Sequence, residues 1–228
     1  MERIGTNYGG WYLPKNINLN EDSIVYSAGV GEDISFDLKL QSKYKCNIFL
    51  IDPTSRSKIH YKEIKQYYID NVFNFTGNTQ VDYYTHIHNI KPNFDKIFYI
   101  DKGLWNCVDR LKFYKQENKK NVSQSLIVNM FGNEYDEVDV LTIKDLMNKY
   151  NHKDIDLLKL DIEGAEIKVI NNMLNDNIYP KYILVELDLY LKKKDNDNLT
   201  KKLIDRLTES NYKIIMNDRM NITLERTI

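Results

Sequence analysis

Gly29 and Gly31, inside the stretch Ser23 to Asp33 (SIVYSAGVGED), are the first residues whose spacing suggests chemistry. Ile24, Val25 and Tyr26 run through Ser27 and Ala28 into the glycines and then into Glu32 and Asp33, the pattern of a buried strand breaking into a tight turn. Glycine has no Cβ, so a bound molecule can approach the main chain and its anionic part can meet backbone N–H groups. Asp52 follows Gly31 by 21 residues and ends a second apolar run, Cys46 to Ile51. An acid at that distance, on the tip of the next strand, suits ribose hydroxyls. Together these features predict a nucleoside-containing cofactor held by Ser27, Ala28, Gly29, Gly31 and Asp52.

The missing residues narrow the cofactor. The third glycine of a dinucleotide fingerprint would stand at Ile34, and no Gly-Lys-Ser/Thr phosphate loop follows Gly31. Glu32 and Asp33 would repel a pyrophosphate. S-adenosylmethionine carries no phosphate and has a cationic sulfonium and amino group, so the acids are compatible with it. Three other readings stay open: GVG as a tight turn only, a nucleotide-linked oxidoreductase, and a cofactor-binding or interaction module without catalysis.

A second constellation lies in Ile155 to Glu166 (IDLLKLDIEGAE). Asp161 falls where the strand should end, beside the point at which a doubly wound sheet opens its ligand crevice. Glu163 and Glu166 follow, and Glu166 serves a helix N-terminus as readily as an active site. The next apolar run, Tyr182 to Glu186, ends in Glu186 and Asp188. Methyl transfer is an in-line displacement on a carbon activated by sulfonium, so a protein mainly aligns acceptor, methyl and sulfur. An alcohol acceptor must still lose its proton, and Asp161 is the first candidate to take it, with Glu186 as the rival. Mg²⁺ held by Asp161, Glu186 and Asp188 is the alternative, ranked below metal-free chemistry. His86 and His88 lack a third ligand at a telling distance, so no metal site is assigned.

These residues need strands to carry them. Beyond the two named above, Phe94 to Ile100, Asp156 to Leu160 and Tyr182 to Glu186 read as strands, and the loop at Gly103 is placed on the adenine side of the pocket. Ile34 to Ser42 alternates like a strand but is assigned to helix, because parallel neighbours need a crossover of about a dozen residues. Ile59 to Ile69, Ile143 to Tyr150 behind a Thr142 cap, Glu163 to Leu174 and Leu199 to Leu207 read as further helices. A polar loop is expected around Gly77, a hairpin-like insertion from Leu111 to Val128, and a closing antiparallel pair, Tyr212 to Met216 with Ile222 to Glu225. The first 22 residues show no periodicity and read as an ordered loop, either a lid or a segment docked by Trp11 and Tyr12. The alternation is that of an α/β protein.

Composition sets outer bounds. With 228 residues a single domain, 1–228, is favoured, and a formal charge of −1 argues against a nucleic-acid partner. The Lys192-Lys193-Lys194 run sits among acids as a solvated face. No apolar run approaches about 18 residues, so no membrane association is expected and a cytoplasmic location is the default. Cys46 and Cys107 read as buried reduced thiols.

Taken together, VYSAGVGEDISFDL, FLIDPT, GLW with LKFY and VSQSL, TIKDLM and above all LKLDIEGAE resemble the FkbM-like family of S-adenosylmethionine-dependent methyltransferases over most of the chain. The resemblance implies a three-layer, doubly wound, Rossmann-like methyltransferase fold with a seven-stranded, mostly parallel sheet and a terminal antiparallel hairpin. It implies O-methylation of a small-molecule or glycan acceptor. Gly29 and Gly31 would contact the methionine end of the cofactor, Asp52 its ribose and the Gly103 loop its adenine, while Asp161, Glu163 and Glu166 would line the active site. The chain departs from the pattern at Ser27, where many methyltransferases carry an acid, and at Gln124 and Leu187, where histidines are expected. The oligomeric state is left open, a homodimer included.

Overall fold

The computed structural model of the chain describes residues 1–71, 83–118, 123–128, 130–187 and 198–227. Asp188, the Lys192-Lys193-Lys194 run and the loop around Gly77 lie outside the described residues. At the centre is a seven-stranded mixed sheet in the order β12-β13-β11-β10-β3-β4-β5. Five strands are parallel: β3 (Ile24–Ala28), β4 (Asn47–Ile51), β5 (Ile97–Ile100), β10 (Leu157–Leu160) and β11 (Tyr182–Glu186). The chain steps outward from β3 through β4 to β5, then returns to build β10 and β11 on the other side of β3. The two directions part between β3 and β10, and a parallel sheet opens a crevice at that point. The hairpin of β12 (Tyr212–Asp218) and β13 (Asn221–Arg226) closes the edge antiparallel.

Both faces of the parallel strands are covered, so they read as continuous apolar runs. Val25, Ile48, Leu50, Leu157 and Leu184 face one buried cluster with α1 (Ser35–Tyr44), α2 (Ser55–Asp70) and α3 (Tyr83–His88). Their strand neighbours Tyr26, Phe49, Ile51, Leu158, Ile183 and Val185 face a second cluster. That one holds α4 (Ile143–Tyr150), α5 (Glu166–Asn175) and α6 (Leu199–Glu209). Thr142 caps α4 in a reciprocal box with Asp145.

The helix assigned to Ile34–Ser42 is α1. Its misleading alternation arises because it is wedged in on nearly all sides, burying Ser35, Phe36, Asp37, Leu38, Leu40 and Gln41. Three expectations are corrected. The N-terminal segment is not loop throughout: β1 (Glu2–Ile4) pairs antiparallel with β2 (Trp11–Leu13), and Ile4, Trp11 and Leu13 are buried in the α1-side cluster. The insertion is more than a hairpin. β7 (Asp109–Lys115) meets β8 (Gln124–Ser125) on one side and, along its whole length, β9 (Tyr135–Leu141) on the other. With β6 (Gly103–Leu104) these form a second, four-stranded sheet. One face carries the Arg110–Glu137 ion pair at 3.3 Å; the other buries Phe113, Val138 and Val140 and ends in the Lys115–Asp136 pair at 2.7 Å. Finally, Cys46 is buried but Cys107 is exposed. Among the described residues no helix is long and apolar enough to cross a membrane.

Candidate active site

The parallel strands all point the same way, so the segments after β3, β4, β5, β10 and β11 gather at one edge of the sheet. Gly29 donates its N–H to the Ile51 carbonyl at 3.1 Å, and Asp161 donates its N–H to the Ala28 carbonyl at 3.2 Å. The two glycines serve different ends. A Cβ on Gly29, whose φ is +75°, would overlap the Asp161 carbonyl oxygen and stand 2.5 Å from its carbon. This glycine permits β3 and β10 to close together. At Gly31, with φ +58°, a Cβ would meet nothing within 4 Å. The turn is open there.

Asp52 does reach the turn, and it is spent on it. Its Oδ2 accepts from the N–H groups of Val30 (3.0 Å) and Gly31 (2.9 Å). Its Oδ1 accepts from the N–H and hydroxyl of Thr54, at 2.8 and 2.6 Å. Each oxygen thus has two donors, the capacity of a carboxylate. Burial pushes the Asp52 carboxyl pKa up, and the bonds from Thr54, Gly31 and Val30 oppose that. Of the backbone donors at the turn, those of Val30 and Gly31 face Asp52 and that of Gly29 faces the Ile51 carbonyl. What the turn offers a ligand is space.

The two acids after Gly31 are also engaged. Arg56 grips Glu32 in a fork, Nε to Oε1 at 2.9 Å and Nη2 to Oε2 at 2.8 Å. Asp33 accepts from the Thr6 hydroxyl at 2.6 Å and the Ser35 N–H at 3.0 Å, tying the N-terminal segment to the turn. The expected repulsion of a pyrophosphate by Glu32 is thus largely cancelled by Arg56, a partner the sequence alone did not suggest.

On the far side of the crevice stands Asp161, its side chain 32% exposed and 3.7 Å from the Lys159 ammonium. Glu163 adopts φ +55° and Gly164 φ +98°. A non-glycine residue in that region is strained, and such strain clusters at functional sites. The Ser125 hydroxyl donates to the Glu163 carbonyl at 2.6 Å, so the second sheet braces this loop. Glu166 is buried and accepts from the Ile162 N–H at 2.8 Å, closing the loop onto the first turn of α5. Glu186 ends β11, next to β10.

Tyr8, not singled out in the sequence, lies within the field of the crevice acids. It is 75% exposed, and its hydroxyl pKa is raised by partial desolvation and by the charges of Asp161, Glu163, Glu186 and Asp33. These carboxylates end or follow three adjacent strands, β3, β10 and β11. Among the described residues no group of three His, Cys, Asp or Glu is arranged to hold a metal ion. His88 bonds the Tyr67 hydroxyl at 2.6 Å.

Gly103 is not in a loop but in β6, its absent Cβ 3.1 Å from Val140. Beside it, a cleft of about 630 Å³ opens between Pro53 and Ser55 after β4, Asp101 after β5, and Gln124, Tyr135 and Glu137 of the second sheet. The signal that would have found Lys159 was present all along, a cation in the middle of an apolar strand.

No curated protein sequence matches the chain. Several solved structures resemble it. A Streptococcus mutans protein described as a methyltransferase, in complex with SAH, shares 11% identity and a TM-score of 0.46, covering 92% of this chain and 91% of that one. An rRNA methylase from Streptococcus thermophilus shares 9% identity and a TM-score of 0.43, covering 92% and 90%. Aeropyrum pernix fibrillarin with bound S-adenosyl-L-methionine shares 12% identity and a TM-score of 0.40, covering 93% and 69%. The family described as the methyltransferase FkbM domain matches residues 12–214. With that span matched, the chain belongs to the FkbM methyltransferases, whose methyl donor is S-adenosylmethionine.

Proposed function

We propose that the chain O-methylates a hydroxyl of a sugar, a glycan or another small metabolite, as one domain spanning residues 1–228. The observation that carries this reading is the open face of Gly31 at the switch point, with Asp161 on the opposite bank. The residues present fit the donor: the space above Gly31 admits a ligand, and the acids of the crevice suit a cationic sulfonium and amino group. The cleft beside Asp101 is of a size to take the adenosyl half. When bound, S-adenosylmethionine supplies a methyl carbon already activated for displacement.

The rest falls to the chain. Asp52 acts through the turn, fixing Val30 and Gly31. Asp161 orients the acceptor hydroxyl and takes its proton, which requires an approach to about 3 Å. Glu186 is the rival for that task. Tyr8, whose hydroxyl feels the charges of the crevice acids, covers the acceptor side. Asp161→Asn should abolish transfer of labelled methyl to a panel of sugars and glycans while calorimetry still detects S-adenosylhomocysteine. Full activity of that variant would remove Asp161 from the role. Binding of NAD in place of S-adenosylhomocysteine would refute the reading as a whole.

A further inference from the structure

Lys159 is 4% exposed, within a strand whose other members, Leu157, Leu158 and Leu160, are fully buried hydrocarbons. A cation in such a place is costly unless paired, and Leu or Met would fill it without that cost. The charge therefore calls for a use other than packing. Lys159 faces Ser27 in parallel register, a small neighbour on the α1 side of the sheet. Its Nζ donates to the Gly29 carbonyl at 3.2 Å, stands 3.7 Å from Asp161 Oδ2 and lies 5.6 Å from the centre of the Trp11 ring.

Beneath it, on α1, Asp37 is buried. Burial pushes its carboxyl up to about 6, against the pull of the Lys159 charge. The Ser27 hydroxyl faces this carboxylate closely enough to lower its pKa but outside hydrogen-bonding geometry. Neither Ser27 Oγ nor Asp37 Oδ1 has a hydrogen-bond partner among the described residues.

We propose that Lys159 is a positioning residue for the methyl donor: beside Asp161 and bonded to the Gly29 carbonyl, it holds that carbonyl and the Asp161 carboxylate where they face the cofactor. This rests on the methyltransferase reading of the crevice. The test uses the full chain, with melting temperature and S-adenosylhomocysteine affinity measured on each variant. Lys159→Met alone strands a buried carboxylate and lowers the melting temperature. Lys159→Met with Asp37→Asn removes both charges and restores the melting temperature, yet S-adenosylhomocysteine binding stays at least about tenfold weaker than in the wild type. Lys159→Arg, which keeps the charge, stays within about threefold. A double variant that melts and binds like the wild type overturns the proposal, because the pair would then serve folding alone. If the double variant does not fold, Lys159→Arg and Lys159→Gln decide, and equal affinity in the two overturns it. A wild-type chain that does not bind S-adenosylhomocysteine sinks the methyltransferase reading itself, a result distinct from either.

Discussion

Gly31→Ala and Gly29→Ala, two substitutions of one methyl group each, should fail in opposite ways. At Gly31 the added Cβ meets nothing within 4 Å, so the only cost to folding is an alanine held at φ +58°. A left-handed residue other than glycine costs roughly 1–2 kcal/mol. For a chain of this size each kcal/mol lowers the melting temperature by about 2–4 °C, so Gly31→Ala should fold and melt about 2–8 °C early. If the space above Gly31 is where the donor lies, the same methyl group stands in its way, and S-adenosylhomocysteine affinity should fall at least about tenfold, or 1.4 kcal/mol. At Gly29 the Cβ would overlap the Asp161 carbonyl, part of the β3–β10 junction. Gly29→Ala should cost more than about 4 kcal/mol and be recovered poorly or unfolded. Calorimetry and thermal melts on the pair check both claims. A folded Gly31→Ala that binds S-adenosylhomocysteine like the wild type would refute the placement of the donor. A stable Gly29→Ala would refute the close approach of the two strands.

Arg56→Ala should destabilise the chain by about 1–2 kcal/mol and much less in a Glu32→Gln background, because the lost partner leaves Glu32 buried while Arg56 itself is partly screened by solvent. A double-mutant cycle with no coupling would show that the fork is not formed in solution. His60 is buried, bonded to the Tyr83 hydroxyl at 2.7 Å, and burial holds its pKa down to about 4. The folded state therefore binds fewer protons than the unfolded one between about 4 and 6.5, so the contribution of neutral His60 is complete above 6.5 and is lost as pH falls towards 4, at most about 3 kcal/mol. Asp37, pushed up to about 6, has the opposite sign, losing stability as pH rises through that value. His60→Gln should flatten the acid limb of denaturant-measured stability, and an unchanged slope would exclude His60 as its source.

The parallel core was legible because strands buried on both faces can hardly hide: Ile24 to Ala28, Asn47 to Ile51 and Tyr182 to Glu186 are runs of apolar residues with few rivals. The later helices were equally plain, since Ile143, Leu146 and Met147 trace one face behind a capping threonine. β9 was missed for the opposite reason. Its Val138 and Val140 alternate with Glu137 and Asp139, but four of its seven residues are exposed, and short charged stretches read as loop until their cross-strand partners are known. β1 and β2 are three residues each, set among glycines, and their burial depends on α1, which no local pattern announces. The site was legible in its glycines and strand-tip acids. Of its counter-charges, Lys159 stood out as a cation in an apolar strand, but Arg56 did not, because pairing across 24 residues is a property of the fold.

Those counter-charges also sort the acids. A carboxylate in a sequence advertises charge, but in a fold it is available to a ligand only after the chain's own donors have been served. Asp52 is saturated by four donors, Glu32 is gripped by Arg56, Asp33 ties Thr6 to the turn, and Glu166 closes its own loop. Asp161 differs in kind. Its side chain remains 32% exposed at the mouth of the crevice, and the contact seen for its carboxylate is an ammonium 3.7 Å away, beyond ordinary hydrogen-bond length. With a buried cation beside it and its side chain partly exposed, Asp161 can serve as the base proposed above without first breaking a bond that holds the fold. Glu186 can displace it from that role only if Asp161→Asn proves active, and then Glu186→Gln should be the variant that loses turnover.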